Sequence, residues 1–345
     1  MKKNLLTFSM VCAMAVSCAT AGPADKYTVT LPLTPDEDGL TAYIVSFDTG
    51  AKLDSTVVAD GKAVFNGEIA KPEFVRILLD GNRAAMFVLE PGTITADAAT
   101  RTARGTETNE TMNKLFEQQS ALEKEFRALG KDATEEQQND IRSRYSKLMD
   151  DAFVQNVDNP LGYYLFLQDA YSWDLPTFEQ NLAKYPQFAS SHRLNTLKQG
   201  LLNKEETSPG HRFKDFEITY NGETKKLSDY VGKGKYTLVD FWASWCGPCI
   251  RETAVIKDLY NKYSDKMDFL GVAVWDEPAN TLKAVETHSL PWPQILNTQN
   301  IATDIYGIPA IPCIILFDPE GNIVSRDKQD QDLVSDVEAA MQTVP

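Results

Sequence analysis

Apolar and polar positions divide the chain into three stretches with different periods. From about 27 to 104, short runs such as Thr41-Ala-Tyr-Ile-Val-Ser-Phe47 and Phe74-Val-Arg-Ile-Leu-Leu79 are rich in β-formers. Asp60-Gly61, Asn66-Gly67, Asp80-Gly81 and Pro91-Gly92 punctuate them. That spacing predicts strands joined by tight turns, as in a small antiparallel sandwich or barrel. From about 107 to 203 the period changes. Met112, Leu115, Phe116, Leu122 and Phe126 recur at helical intervals between charged residues. A second helix is predicted over 134–156, opened by Thr134 and Gln137 as a capping box and ended by Asn159-Pro160-Leu-Gly162. Two further helices are expected after it. No catalytic constellation stands out in this stretch, which reads as a packing and spacing element.

The polar run Lys204-Glu-Glu-Thr-Ser-Pro-Gly210 reads as a linker. Beyond it, strand and helix patterns alternate. Strands are predicted at 213–220, 236–243, 268–275, 313–318 and 322–326, and helices at 246–263, 279–288 and 331–342. Alternation with crossover helices implies a mixed sheet covered on both faces. The expected fold is therefore multidomain: a β sandwich or barrel (23–105), a central α-helical segment (106–205) and a C-terminal α/β unit (206–345). A length of 345 residues suits such a division, since single cores rarely grow that large.

Hydrophobic residues make up 43% of the chain and charged residues 24%, as in folded globular proteins. The net charge of -15 argues against a nucleic-acid partner, because a phosphate backbone attracts a basic surface. The first 21 residues read as an export leader: Lys2 and Lys3, an apolar run from Leu5 to Val16, then small residues. Two exits stay open. Ala15-Val16-Ser17-Cys18 resembles a lipobox, with Cys18 as the lipid-anchored residue; Ala19-Thr20-Ala21 resembles an ordinary signal-peptidase site. Either exit delivers the chain to the cell envelope or periplasm. No other run is long and apolar enough for a transmembrane helix.

Export sharpens the reading of the five cysteines. Cys12 and Cys18 fall in the leader or its anchor, which leaves Cys246, Cys249 and Cys313. A disulfide framework would use more cysteines, spread along the chain. An apolar strand, Thr237-Leu-Val-Asp-Phe-Trp-Ala, feeds instead into Ser244-Trp-Cys-Gly-Pro-Cys249 and an amphipathic helix. Cys246 then sits at a helix N-terminus, where free backbone N–H groups and the helix dipole favour a thiolate. Gly247 permits the turn and Pro248 stiffens it. Cys246 would attack a disulfide and Cys249, one turn along, would resolve the mixed disulfide. Asp240, mid-strand in an apolar run, is the candidate proton carrier for Cys249, because burial would raise its pKa toward a useful range. Trp245 would form an apolar rim for substrate. Asp276, at the end of the next strand, is a candidate second carboxylate. Zinc is disfavoured: the other ligand types are Cys313, His192, His211 and His288, without ligand spacing. No cofactor is called for.

Residues from about 210 to 344 resemble the TlpA/ResA branch of the thioredoxin superfamily. The resemblance rests on Asp240-Phe-Trp-Ala-Ser-Trp-Cys-Gly-Pro-Cys249, on Tyr306-Gly-Ile-Pro-Ala-Ile-Pro312 before Cys313-Ile-Ile-Leu-Phe-Asp318, and on Pro319-Glu-Gly-Asn322. It implies a thioredoxin-like fold, and a cis bond at Ile311–Pro312, preferred over Pro309, whose backbone at Ile311 pairs with substrate. Protein disulfides would be the substrates and a membrane thiol donor the partner, with a link to c-type cytochrome assembly. The upstream stretch resembles a poorly characterised β domain that precedes such units in envelope proteins.

Two positions depart from the family. Ile250 and Ala254 stand where a basic residue and a helix-kinking proline are usual, so a straighter helix, without a kink at Ala254, is expected. Cys313 replaces a residue that is more often threonine. It is either a third redox-active thiol that modulates the pair or a small core residue. Gly-Pro between the cysteines matches a reducing enzyme; an oxidase or isomerase would more often carry His there. A peroxidase would keep one cysteine of the pair, preceded by Thr. A reading of another class makes the N-terminal half a ligand-capturing module of an anchored binding protein, with the redox pair secondary.

Overall fold

The computed structural model describes residues 25–344. The leader, with Cys18 and its expected lipid attachment, lies outside the described residues. The chain divides into two compact units, with the boundary between Leu167 and Gln168.

The first unit opens with strands β1 (Asp25–Pro32), β2 (Thr41–Ser46), β3 (Lys52–Val57), β4 (Lys62–Ile69), β5 (Glu73–Leu79), β6 (Asn82–Leu89), β7 (Gly92–Asp97) and β8 (Thr102–Arg104). They form two open four-stranded sheets, β4-β1-β7-β8 and β3-β2-β5-β6. Both bury one face in a common core, Val29, Leu31, Phe65 and Ile94 from one sheet and Ile44, Phe74, Ile77 and Phe87 from the other. The sandwich alternative therefore holds and the barrel does not. One pairing departs from the antiparallel expectation: β7 runs parallel to β1. Turn residues mark where a chain reverses, but not which sheet receives the next strand.

Two helices, α1 (Glu107–Ala128) and α2 (Glu135–Asn156), complete this unit, with most of α3 (Pro160–Ala170). The capping box at Thr134 and Gln137 is present. Buried asparagines tie α1 to the strands. Asn109 donates to the Val88 carbonyl (2.8 Å) and accepts from the Val88 N–H (2.9 Å), imitating a neighbouring strand. Asn113 donates to the Ala103 carbonyl (2.8 Å). Sheet edges carry unpaired backbone groups that must find partners when buried, and here helix side chains supply them. The helical stretch is thus shared between two units. Three helices follow α2 rather than two: α3, α4 (Leu175–Lys184) and α5 (His192–Glu205).

In the second unit α4 and α5 precede a hairpin, β9 (Glu217–Tyr220) and β10 (Glu223–Lys226). The run continues through β11 (Tyr236–Trp242), α6 (Gly247–Tyr263), β12 (Met267–Ala273), α7 (Pro278–Thr287) and β13 (Gln294–Ile295). It ends with α8 (Ile301–Tyr306), β14 (Cys313–Phe317), β15 (Ile323–Arg326) and α9 (Asp330–Met341). The main sheet has the order β13-β12-β11-β14-β15, with β11 parallel to β12 and antiparallel to β14. Side chains alternate across it. Leu238, Trp242, Ile314 and Leu316 pack with Ile256 and Leu259 of α6 and Leu333 and Val337 of α9. Val239, Phe241, Cys313, Ile315 and Phe317 pack on the other face with Phe216 and Tyr306. A sheet buried on both faces reads as a continuous apolar run, which is the pattern of β11 and β14.

The polar run at 204–210 is not a free linker. Thr207 is fully buried. Its hydroxyl donates to the Asn203 carbonyl (2.7 Å), and its carbonyl accepts from the guanidinium of Arg326 (3.0 Å). The same guanidinium donates to the Tyr306 carbonyl (2.7 Å). Gly307, with φ 55°, lets α5 approach: a Cβ there would lie 2.1 Å from the Gly200 carbonyl oxygen. Composition signals polarity, but it cannot show that a threonine's polar atoms are taken up by a distant arginine.

Candidate active site

Strand β11 ends at Trp242, and the chain turns through Ser244 and Trp245 into α6. Cys246 is the N-cap of α6 and forms a disulfide with Cys249. The Cys249 N–H donates to the Cys246 sulfur (3.1 Å). An N-terminal N–H group aimed at sulfur is what would stabilise a thiolate after reduction. Cys246 retains 4% of its surface and Cys249 none, while Gly247, Pro248 and Trp245 are exposed. The N–H-rich end of α6 therefore presents the edge of Cys246 to solvent and shields Cys249. Helix α6 runs through Ile250 and Ala254 without interruption.

The cis peptide bond falls at Ile311–Pro312. The Ile311 carbonyl oxygen lies 3.8 Å from the Cys246 sulfur, and Ile311 itself is half-buried. Pro312 thus borders the disulfide where β14 begins.

Asp240 lies under the site on β11. Its place in the alternation puts its side chain on the α6 side, with Leu238 and Trp242. It is buried, and its Oδ1 has no hydrogen-bond partner. Burial pushes its pKa up to about 8, and the like charge of Glu252 adds to the rise. An unpaired buried carboxylate costs several kcal/mol, so the proton is retained to higher pH.

Glu252 is the residue that the sequence reading missed. It is buried on α6, its Oε1 accepts from the Asp330 N–H (2.9 Å), and burial raises its pKa as well. A signal was available: Cys249, Glu252, Thr253, Ile256 and Leu259 form the buried stripe of α6. The helical period counted from Cys249 therefore points Glu252 inward.

Asp276 also comes to the site, through the turn before Cys246. Its carboxylate accepts from the Ser244 N–H (2.8 Å), the Ser244 hydroxyl (3.0 Å) and the Thr281 hydroxyl (2.8 Å).

Cys313 does not join the pair. It is a free, buried thiol on the opposite face of the sheet, and it donates to Asp327 Oδ1 (3.1 Å). Burial, with Asp327 beside it, holds its pKa well above the usual thiol range. Among the described residues no cluster of His, Cys, Asp and Glu is arranged to hold a metal ion, and no helix is long and apolar enough to cross a membrane.

This fold and this disulfide define a thiol–disulfide oxidoreductase of thioredoxin fold. Residues 209–326 match the AhpC/TSA family, and residues 27–112 match a domain of unknown function, DUF4369. Over 122 residues the chain is 30% identical to the thiol-disulfide oxidoreductase ResA of Geobacillus kaustophilus, covering 35% of this chain and 69% of that protein. ResA of Geobacillus thermodenitrificans is 31% identical over 118 residues, which span 34% of this chain and 64% of that relative's length. Among solved structures, the thioredoxin domain of a thiol-disulfide oxidoreductase from Bacteroides vulgatus is 34% identical, with a TM-score of 0.35. The match covers 38% of this chain and 96% of that one. Through its C-terminal unit the chain belongs to the ResA-like thiol–disulfide oxidoreductases.

Proposed function

We propose that this protein reduces disulfides in proteins of the cell envelope, with Cys246 attacking and Cys249 resolving. The observation that carries the reading is the Cys246 sulfur at the N-terminus of α6, accepting from the Cys249 N–H, on the sheet face that also holds Asp240. In the reduced chain, the Cys246 thiolate attacks one sulfur of a substrate disulfide, forming a mixed disulfide and releasing the other sulfur as a thiolate that takes up a proton. Asp240, ionised, accepts the proton of Cys249. The Cys249 thiolate attacks the Cys246 sulfur, closes the Cys246–Cys249 disulfide and expels the second substrate sulfur as a thiolate, which takes up a proton. Two electrons pass from the chain to the substrate. A membrane thiol donor restores the dithiol, and assembly of c-type cytochromes is one process that consumes such reduced thiols. Trp245, Gly247, Pro248, Ile311 and Pro312 border the sulfur and form the substrate surface. Cys18 is the proposed lipid anchor at the envelope.

The test is a Cys249→Ser variant of the full chain, mixed with an envelope extract under non-reducing conditions. Mixed disulfides through Cys246 that dissolve on adding a thiol support the proposal; their absence overturns it.

One observation favours a second reading for the N-terminal unit. A cavity of about 750 Å³ lies between β7, β8 and α1, lined by residues that include Thr95, Asp97, Arg104, Asn113 and Phe116. Asn113 Oδ1 is buried there without a partner. A cavity of that size with a buried unpaired amide oxygen fits a ligand-capturing module in the N-terminal unit.

A further inference from the structure

We infer that Asp276 is a positioning residue for the exchange reaction, clamping the turn that carries Trp245 and Cys246. The inference rests on the redox reading of the cysteine pair. Asp276 is buried just beyond β12, the strand beside β11. Three donors converge on its carboxylate. Oδ2 takes the Ser244 N–H and the Thr281 hydroxyl, and Oδ1 takes the Ser244 hydroxyl. Thr281 is fully buried on α7, so the carboxylate is anchored from behind while it holds the turn in front.

The preceding residue completes the clamp. The Trp275 carbonyl accepts from the indole N–H of Trp245 (3.0 Å). Trp275 has φ 52°, a left-handed conformation that a bulky side chain rarely adopts. The Asp276 carbonyl accepts in turn from Gln299 (2.9 Å), which fixes the segment from the β13–α8 side. Ser244 and Trp245, the two residues before Cys246, are therefore each bonded to one of two consecutive residues. Trp245 is 61% exposed, yet its ring is tethered. A large apolar ring beside a nucleophile is useful to a substrate only if it is held in place.

The clamp sets where the Cys246 sulfur lies relative to the Cys249 N–H. Loosening it would draw the sulfur away from that donor and raise the thiolate pKa. A purely electrostatic role for the Asp276 carboxyl would lower that pKa on its removal instead. The two effects have opposite signs, so the clamp and the charge can be told apart. Asparagine at 276 keeps an oxygen for the Ser244 N–H and lets the Ser244 hydroxyl turn to accept, while removing the charge.

The experiment uses the full chain, reduced, with Asp276→Ala and Asp276→Asn. Thiolate absorbance against pH gives the Cys246 pKa, and insulin reduction gives kcat/KM. Asp276→Ala is expected to raise the pKa and lower kcat/KM about tenfold, and Asp276→Asn to recover most of both losses. A fall in pKa of similar size in both variants would overturn the clamp and assign the effect to charge. An unchanged pKa in Asp276→Ala would overturn it outright. If Asp276→Ala does not fold, Ser244→Ala carries the test, since it removes only the hydroxyl bond. A smaller upward shift supports the clamp, and no shift rejects it. Failure of the wild type to reduce insulin would count against the redox reading while leaving the thiolate pKa measurable.

Discussion

Asp240 and Glu252 are two buried carboxyls of like charge, one on the central strand and one on the helix that begins at the disulfide, and each is raised above its ordinary pKa. Such a pair cannot hold two charges cheaply in a dry interior. At least one of the two carboxyls is therefore expected to keep its proton at neutral pH.

The stability of the chain should carry the mark of that proton. The folded pKa of Asp240 is about 8, above its unfolded value of 3.8, so between those limits the folded state binds more protons than the unfolded one. Stability contributed by protonated Asp240 is full below about pH 4 and falls as pH rises toward 8. Asp240→Asn should be more stable than the wild type at pH 8 by a few kcal/mol and closer to it at pH 4. Urea melts at the two pH values check this; an equal difference at both would contradict it.

Exchange should follow the same group in the opposite sense. Asp240 accepts a proton only when ionised, so the rate of mixed-disulfide resolution should rise with pH through the region near 8. Asp240→Asn should flatten the profile and slow resolution about 10- to 100-fold. Stopped-flow quenching of the mixed disulfide reads this step.

Glu252→Gln removes a like charge from Asp240 while keeping an oxygen for the Asp330 N–H. The Asp240 pKa should fall, and the rising limb of the rate profile should move to lower pH. A limb that stays in place would mean that Glu252 does not act on Asp240.

Cys313 faces away from the disulfide, across the sheet, and bonds Asp327. Cys313→Ala should leave insulin reduction intact and cost about 1–2 kcal/mol of stability from lost packing and the lost bond. Loss of activity in a folded variant would give Cys313 a redox role.

Much of the site is legible in the sequence because it is local. An apolar strand, two cysteines three apart and a helix pattern are contiguous, and a mixed sheet covered on both faces follows from the alternation of strands and helices. Asp240 stands out as a charge inside an apolar run. Glu252 does not, because a glutamate on a helix is ordinary until the buried stripe is traced from Cys249. The contacts of Asp276 with Ser244 join residues 32 apart in sequence, and spacing carries no sign of them. Strand β13 and helix α8 span 2 and 6 residues, too short to show a period. The sharing of the helical stretch between two units turns on Asn109, Thr207 and Arg326, polar residues whose partners only the fold supplies.

Transfer of two electrons from Cys246 and Cys249 to a protein disulfide is read in a single turnover: the full chain is reduced, freed of reductant and mixed with insulin in excess. One insulin disulfide is expected to be reduced per chain, with the Cys246–Cys249 disulfide recovered by mass spectrometry and Cys313 still free. Insulin left intact while both cysteines stay reduced would contradict it.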